Sequence, residues 1–293
     1  MKIDNIAVIG AGNMGHQIAL CASLSGYKVK CTDTNPDILA KAISFADNYL
    51  KERVIKGKLS EEAANQAYEN IAFTSNIEDA AADADLVIEA IIEKLDIKRT
   101  LFADLDRICP AHTILTTNSS YIVSSRIADA TNRPDKVCNM HFFNPALVMK
   151  LVEVVKSPHV SDETVEVLMN ASRKMNKTPV LLHKEIYGFL VNRFLQATRQ
   201  EALKLLDMGV ASFEDIDIAV KNGLGYPMGP FQLIDLTGID LAYHVGMEKY
   251  QESGDPADRP SPTIVEKYTK GEWGKKQVKD FIITIPKQIL TKK

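Results

Sequence analysis

The sequence predicts an α/β fold, with an N-terminal Rossmann-type dinucleotide-binding domain followed by an all-helical C-terminal domain. Three observations predict it. A glycine-rich turn, Gly10-Ala11-Gly12-Asn13-Met14-Gly15, follows a short apolar run and opens an apolar-periodic stretch. Short strand-like segments then alternate with helical patterns, the arrangement of a parallel sheet covered on both faces. After about Lys184 the strand-like segments cease and only helical periodicity remains. The domains are accordingly placed at residues 1–185 and 186–293.

Asn5–Gly10 (NIAVIG) reads as the first strand and Met14–Leu24 as the first helix. Tyr27–Thr32 (YKVKCT) is a second strand. A long helix begins at Asn35-Pro36, a capping residue followed by proline in the first turn. Further strands are expected at Ile71–Thr74, Leu86–Glu89, Thr113–Thr116, Val137–Phe142, Leu151–Val155 and Pro179–Leu182. Helices are expected at Asp96–Ile108 and Ser161–Met175. In the second domain Gly188–Met208 reads as one long helix, with Phe189, Leu190, Phe194, Leu195, Ala202 and Leu205 as its apolar positions. Phe213–Val220, Phe231–Gln251 and Thr263–Lys270 follow as helices, joined by Gly/Pro loops such as GLGYPMGP.

Composition excludes several classes. A chain of 293 residues has room for two domains and a sizeable core. Charged residues at 25% and hydrophobic ones at 45% are ordinary for a soluble globular protein. A net charge of -3 gives no reason to expect nucleic acid or an anionic membrane as partner, while a small anionic ligand needs only a local basic patch. The N-terminus reads as no signal peptide, and no run approaches the roughly 18 apolar residues of a membrane helix. Cys21, Cys31, Cys109 and Cys138 form no CxxC pair. They read as buried, reduced thiols of a cytoplasmic protein, with no disulfide or metal role.

The turn at 10–15 has a physical reading. Gly10 permits the tight bend, Gly12 lets the backbone approach a pyrophosphate, and Gly15 allows close helix–strand packing. The helix N-terminus then presents unpaired N–H groups to the phosphates. Asp33 ends the second strand, where a carboxylate accepts hydrogen bonds from ribose hydroxyls and repels a 2′-phosphate. No Arg or Lys follows directly, so the cofactor is expected to be NAD rather than NADP.

Ligands of such a sheet gather at the carboxyl ends of its strands, and polar groups sit there. Thr113–Thr116 runs into Asn118-Ser119-Ser120, and Val137–Phe142 contains His141. A lone histidine in an apolar run is ordinarily a core residue with satisfied ring nitrogens. Glu153, however, lies in the apolar strand MKLVEVV, where an unpaired carboxylate would be costly. Pairing with His141 would explain both residues.

At these positions the chain resembles the L-3-hydroxyacyl-CoA dehydrogenase family, in particular bacterial short-chain 3-hydroxybutyryl-CoA dehydrogenases. The resemblance covers nearly the whole chain. It rests on GAGNMG at 10–15, VIEAIIEKLDIK at 87–98, TNSS at 117–120, MHFFNPALVMKLVEVV at 140–155, GFLVNR at 188–193 and GYPMGPFQLIDLTGID at 225–240. It implies that His141 is the catalytic base and Glu153 its partner, with Ser120 and Asn192 holding the substrate's 3-oxygen. Glu93 and Lys98 match positions that contact the nicotinamide half of NAD. Asn13, Met14 and Asn118 join the cofactor-binding set, and Asn144 joins Ser120 and Asn192 on the substrate side. Lys56 matches a lysine that pairs with CoA phosphate; a solvated helix-end lysine is the alternative. Because Asn192 falls in the second domain, the site is expected to span the interdomain cleft. A homodimer through the C-terminal domain is what the family implies.

The chemistry is coherent. Removing hydride from a secondary alcohol builds positive charge at carbon unless the hydroxyl proton also leaves. A general base within reach contributes roughly 10²–10⁴-fold, and free imidazole, with a pKa of about 6.5, suits the task.

Two departures stand out. The family usually reads Thr-Ser-Ser-Leu after the strand, whereas this chain reads Asn118-Ser119-Ser120-Tyr121, which places a bulky phenol beside the pocket. The tail from Trp273, WGKKQVKDFIITIPKQILTKK, lacks the family's Gly-Lys-Gly-Phe-Tyr-like close. The codons AAA CAG GTA AAG GAT TTT ATT ATT AC would encode Lys276 to Ile283 and part of Thr284. One base back they read Thr-Gly-Lys-Gly-Phe-Tyr-Tyr-Tyr, so residues 277–293 are hypothesised to be frameshifted. The coding DNA decides it. Two other functions stay open from sequence: a dehydrogenase of a non-CoA hydroxy acid such as carnitine, and a dinucleotide-binding structural relative without turnover.

Overall fold

In the computed structural model residues 1–273 are described. The tail on which the frameshift hypothesis falls lies outside the described residues. The chain divides between Leu190 and Val191 into two compact units.

The first unit is a sheet layered between helices. In chain order its elements are β1 (Asn5–Ile9), α1 (Gly15–Leu24), β2 (Lys28–Thr32), α2 (Pro36–Ile55), α3 (Glu61–Glu69) and β3 (Ile71–Thr74). Then come α4 (Ile77–Ala81), β4 (Leu86–Glu89), α5 (Leu95–Ile108), β5 (Ile114–Thr117) and α6 (Ser125–Ala128). β6 (Val137–Phe142), β7 (Leu151–Val155), α7 (Asp162–Lys174) and β8 (Thr178–Leu182) complete it. The strand order is β3-β2-β1-β4-β5-β6-β7-β8. Apolar side chains alternate to the two faces and bury there. Val8, Ile18 and Leu86 belong to one core, and Ala7, Val87 and Phe102 to the other. Asn35 caps α2 by accepting from the Asp37 N–H at 2.9 Å, with Pro36 in the first turn as the sequence predicts.

The sheet departs from the all-parallel expectation. β6 and β7 run antiparallel, and β8 runs parallel to β7. The cause is the short connection between them: a parallel return needs a crossover of a dozen or more residues, and residues 143–150 are too few. Three helices have no counterpart in the sequence reading. α4 and α6 are too short for periodicity to register, and α3 is an alanine-rich segment capped by Ser60.

The second unit contains α8 (Val191–Asp207), α9 (Phe213–Leu224), α10 (Pro230–Thr237), α11 (Ile239–Ser253) and α12 (Pro262–Thr269) around a core that includes Leu203, Phe231, Ile234 and Ile264. Two expected helices are corrected. The long helix starts at Val191 rather than Gly188, because Gly188 and Phe189 take φ of +75° and +50°, which no right-handed helix tolerates. The Phe231–Gln251 stretch is two helices, broken at Gly238 with φ +103°.

Candidate active site

The dinucleotide turn sits at the switch point of the sheet, where β1 lies between β2 and β4. Gly10 takes φ +98° and donates its N–H to the Thr32 carbonyl at 2.7 Å. A side chain at Gly15 would place its Cβ 1.7 Å from the Gly10 carbonyl oxygen, so α1 packs against the turn only as glycine. At Gly12 a Cβ would meet open space, as a cradle for a ligand requires. Asp33 accepts from the Ala11 N–H and the Asn35 N–H, both at 2.9 Å. A cleft of about 750 Å³ runs along these residues, from Gly10 and Gly12 past Asp33 to Ala90–Ile92, Ile97 and Leu101. It lies within the range of roughly 300–1,000 Å³ usual for small-molecule sites. Open glycine backbone, a carboxylate for a ribose and apolar walls for an adenine fit NAD.

Asn13 and Asn144 meet, the Asn13 amide donating to the Asn144 side-chain oxygen at 3.2 Å, which ties the turn to the loop after β6. Met14 packs on the core beneath. Asn118 accepts from the Phe142 N–H at 2.8 Å, pinning the end of β5 to the end of β6.

The antiparallel register sets His141 directly opposite Glu153, so both side chains rise from the same face. His141 is 4% exposed and Glu153 0%. His141 Nδ1 lies 2.9 Å from Glu153 Oε2, and Nε2 lies 3.0 Å from Ser120 Oγ. With the ring donating Nδ1–H to the carboxylate, Nε2 is the acceptor. The other carboxylate oxygen, Oε1, accepts from the Leu190 N–H at 3.0 Å. Phe143 and Phe189 flank the imidazole, with ring centroids 4.6 and 5.4 Å away. The result is a nearly solvent-free imidazole held by a carboxylate, with a hydroxyl beside its other nitrogen.

Lys98 is only 1% exposed. Its ammonium lies 2.5 Å from Glu89 Oε1 and 3.4 Å from Glu93 Oε2. Glu93 also accepts from the Ser119 hydroxyl. Lys56 is elsewhere: it follows the last turn of α2, exposed and ion-paired with Glu52. Asn192 is the second residue of α8, in the helical unit. The cysteines are all buried and free. Burial pushes Cys31 and Cys138 up to about 12, and Cys109 to about 11. Among the described residues no group of three or more His, Cys, Asp or Glu is placed to hold a metal ion.

Sequence reasoning passed over Glu89, Thr117, Ser119, Phe189 and Glu185. Glu185 accepts from the Ser125 and Ser157 hydroxyls at 2.7 and 2.6 Å and so pins the segment leading to Phe189. For Glu89 the signal was present: a carboxylate inside the apolar run LVIEAII.

The family model described as the NAD binding domain of 3-hydroxyacyl-CoA dehydrogenase matches residues 5–186, and the C-terminal domain model of that family matches residues 188–283. The chain is 39% identical to the hydroxyacyl-coenzyme A dehydrogenase, mitochondrial, of Homo sapiens, covering 95% of this chain and 90% of that protein. It is 38% identical to the 3-hydroxybutyryl-CoA dehydrogenase of Clostridioides difficile, covering 92% of this chain and 96% of that protein. Among solved structures, (S)-3-hydroxybutyryl-CoA dehydrogenase from Ralstonia eutropha superposes with a TM-score of 0.89 at 33% identity, over 96% of this chain and 98% of that one.

Proposed function

The chain belongs to the 3-hydroxyacyl-CoA dehydrogenase family and is an NAD-dependent dehydrogenase, and from that premise we propose that it interconverts (S)-3-hydroxyacyl-CoA and 3-ketoacyl-CoA, with 3-hydroxybutyryl-CoA as substrate and His141 as general base and acid. The observation that carries this reading is the line Glu153–His141–Ser120, with contacts of 2.9 and 3.0 Å. NAD, when bound, supplies the acceptor for the hydride.

This chain's residues do the rest. Glu153 accepts the Nδ1–H of His141, which fixes the tautomer and leaves Nε2 to take the substrate hydroxyl's proton. As that proton arrives, the adjacent carboxylate stabilises the imidazolium. Ser120 donates to the same substrate oxygen and stabilises the charge that develops on it. Asn192, in the helical unit, is the second such donor by family resemblance. In the reverse direction imidazolium returns the proton. The Gly10–Gly15 turn holds the pyrophosphate, Asp33 the adenosine ribose, and Glu93 and Lys98 the nicotinamide half.

The short-chain assignment is supported by the names of the Clostridioides difficile and Ralstonia eutropha relatives and by Tyr121 next to Ser120. Tyr121 packs against Tyr187 with ring centroids 4.8 Å apart and the rings tilted by 31°, leaving less room for a long acyl chain. Function in the cytoplasm, in butyrate or fatty-acid metabolism, accords with four buried, unbridged thiols. Among the described residues no helix is long and apolar enough to cross a membrane. Homodimerisation through the helical unit accords with the exposed apolar side chains of Phe194, Ile218 and Leu241.

The test is an NADH-absorbance assay on acyl-CoA substrates of increasing chain length, run on the wild type and on His141→Ala. The substitution is expected to lower turnover by roughly 10²–10⁴-fold while NADH affinity is kept. Unchanged turnover overturns the assignment of the base. Turnover of carnitine or a free hydroxy acid, without turnover of acyl-CoA, overturns the substrate.

A further inference from the structure

We propose that Glu89, at the carboxyl end of β4, is a positioning residue. Through a circuit of hydrogen bonds that is buried at Glu89, Lys98 and Thr117 and closed by an ion pair at the exposed Glu93, it fixes the turn that carries Glu93 and the turn that carries Ser120 at one spacing. The proposal rests on the reading of Ser120 and His141 given above.

The circuit can be followed atom by atom. Glu89 is 0% exposed, and its partner Lys98 is 1% exposed. Glu89 Oε1 accepts from Lys98 Nζ at 2.5 Å and from the Ile91 N–H at 2.7 Å. Its Oε2 accepts from the Thr117 hydroxyl at 2.6 Å. Thr117 Oγ1 accepts in turn from the Ser119 N–H at 3.1 Å. The Ser119 hydroxyl donates to Glu93, which lies 3.4 Å from Lys98 Nζ and so closes the ring. Ser119 Oγ also accepts from the N–H groups of Tyr121 and Ile122 at 3.3 and 2.7 Å. Ser120 is therefore held on both sides by bonds that trace back to Glu89, and it is Ser120 that reaches His141 Nε2.

Stability does not explain this arrangement. A buried ion pair is often no more stabilising than a well-packed apolar pair of the same volume. What apolar side chains cannot supply is direction. The two oxygens of a carboxylate accept three donors from three separate segments: Lys98 on α5, Ile91 in the turn after β4, and Thr117 at the end of β5. The hydride must pass between a substrate oriented by Ser120 and a cofactor contacted by Glu93 and Lys98, so the spacing of these turns sets the reaction geometry.

The test uses the full-length protein and four variants. Each is assayed for reduction of acetoacetyl-CoA, for NADH affinity by fluorescence titration, and for melting temperature. Thr117→Val, nearly isosteric, cuts the link between Glu89 and Ser119 while leaving the Lys98 pair intact. Assayed well below its melting temperature, which is expected to fall because a buried carboxylate oxygen loses its donor, it is expected to lower kcat by roughly 10–100-fold with NADH affinity unchanged, and Thr117→Ser, which keeps the hydroxyl, is expected to restore kcat. Ser119→Ala cuts the circuit one link further on and is expected to show the same kcat loss, which keeps the test alive if the valine variant folds poorly. Glu89→Gln is expected to weaken NADH binding as well, because Lys98 and Glu93 lose their anchor. Wild-type kcat in both Thr117→Val and Ser119→Ala overturns the proposal. So does a kcat loss that tracks melting temperature and is not restored by Thr117→Ser. A wild type inactive on every acyl-CoA overturns the functional reading instead, and then the NADH affinity of Glu89→Gln alone judges Glu89: unchanged affinity refutes it.

Discussion

Glu153 Oε2 accepts from His141 Nδ1 while its Oε1 accepts from the Leu190 N–H, and that division of labour makes it sensitive to a change of one atom. In Glu153→Gln one oxygen becomes an NH2 group, which either opposes the Leu190 N–H or faces Nδ1 and forces the other tautomer. Turnover is predicted to fall by roughly 10²-fold or more with little change in NADH affinity, as a stopped-flow or steady-state assay would reveal. Retained turnover would mean that the ring does not need the carboxylate. The cysteines present the opposite case, groups kept out of chemistry. Burial holds Cys31 and Cys138 up to about 12 and Cys109 at about 11, so thiolate is scarce at neutral pH. Titration with Ellman's reagent is predicted to give almost no reaction in the native protein and four thiols per chain after denaturation. Fast native labelling would contradict the buried placement. At this scale the sequence was uneven as a guide. Glu153 could be paired with His141 because each was otherwise unexplained. Glu89 carries the same signature of a charge in an apolar run, but its partner Lys98 had already been assigned to the cofactor, and Thr117 and Ser119 were noted only as members of the polar TNSS segment, with no role of their own.

Among the elements, the segment between β8 and α8 is constrained at several points. Glu185 anchors it to Ser125 and Ser157, and Gly188 and Phe189 take positive φ in succession. The Phe189 ring is fully buried beside His141, and Leu190 delivers its N–H to Glu153. Gly188→Ala puts a Cβ at φ +75° and is predicted to cost about 1 kcal/mol or more in stability. Because the strain falls next to the dyad, kcat is predicted to drop as well. Urea unfolding and a steady-state assay measure the two, and a variant as stable and active as wild type would show that the backbone there is free to relax. Apolar spacing made Gly188 to Leu190 look like helix, since periodicity reports where side chains are buried and is blind to the sign of φ. The strand at Leu151–Val155 was legible for the same reason, but its direction was not; only the shortness of the 143–150 connection carried that information.

For the molecule as a whole, the acid limb of stability rests on carboxylates held below their usual range. Burial alone would raise Asp85, but N–H groups from Asn5 and Asp4, both at 2.8 Å, and His112 at 3.0 Å outweigh it. Asp106 is governed likewise: burial would raise it, and Asn132 and Arg133 outweigh burial. Groups depressed in the folded state stabilise it above the unfolded carboxylate value of about 3.9, and that contribution is lost as pH falls from there towards the folded values. The melting temperature is therefore predicted to hold down to roughly pH 5 and to drop steeply below about pH 4. In Asp106→Asn the drop is predicted to be shallower; an identical slope would remove Asp106 from the account. The two-part architecture was legible in the sequence because a change of period, from strand alternating with helix to helix alone, survives errors in single elements. The sheet order was not, because it depends on pairings between distant residues.

The two halves of the candidate site also differ in how much chain must be looped to build them. His141 and Glu153 are 12 residues apart, whereas the cofactor wall needs Ile9 to meet Ala90 across 81 residues. For flexible loops that difference amounts to about 1.7 kcal/mol of closure entropy. The His141–Glu153 pair is thus entropically the cheaper half to assemble from the disordered chain, and the dinucleotide groove is the half that depends on long-range order.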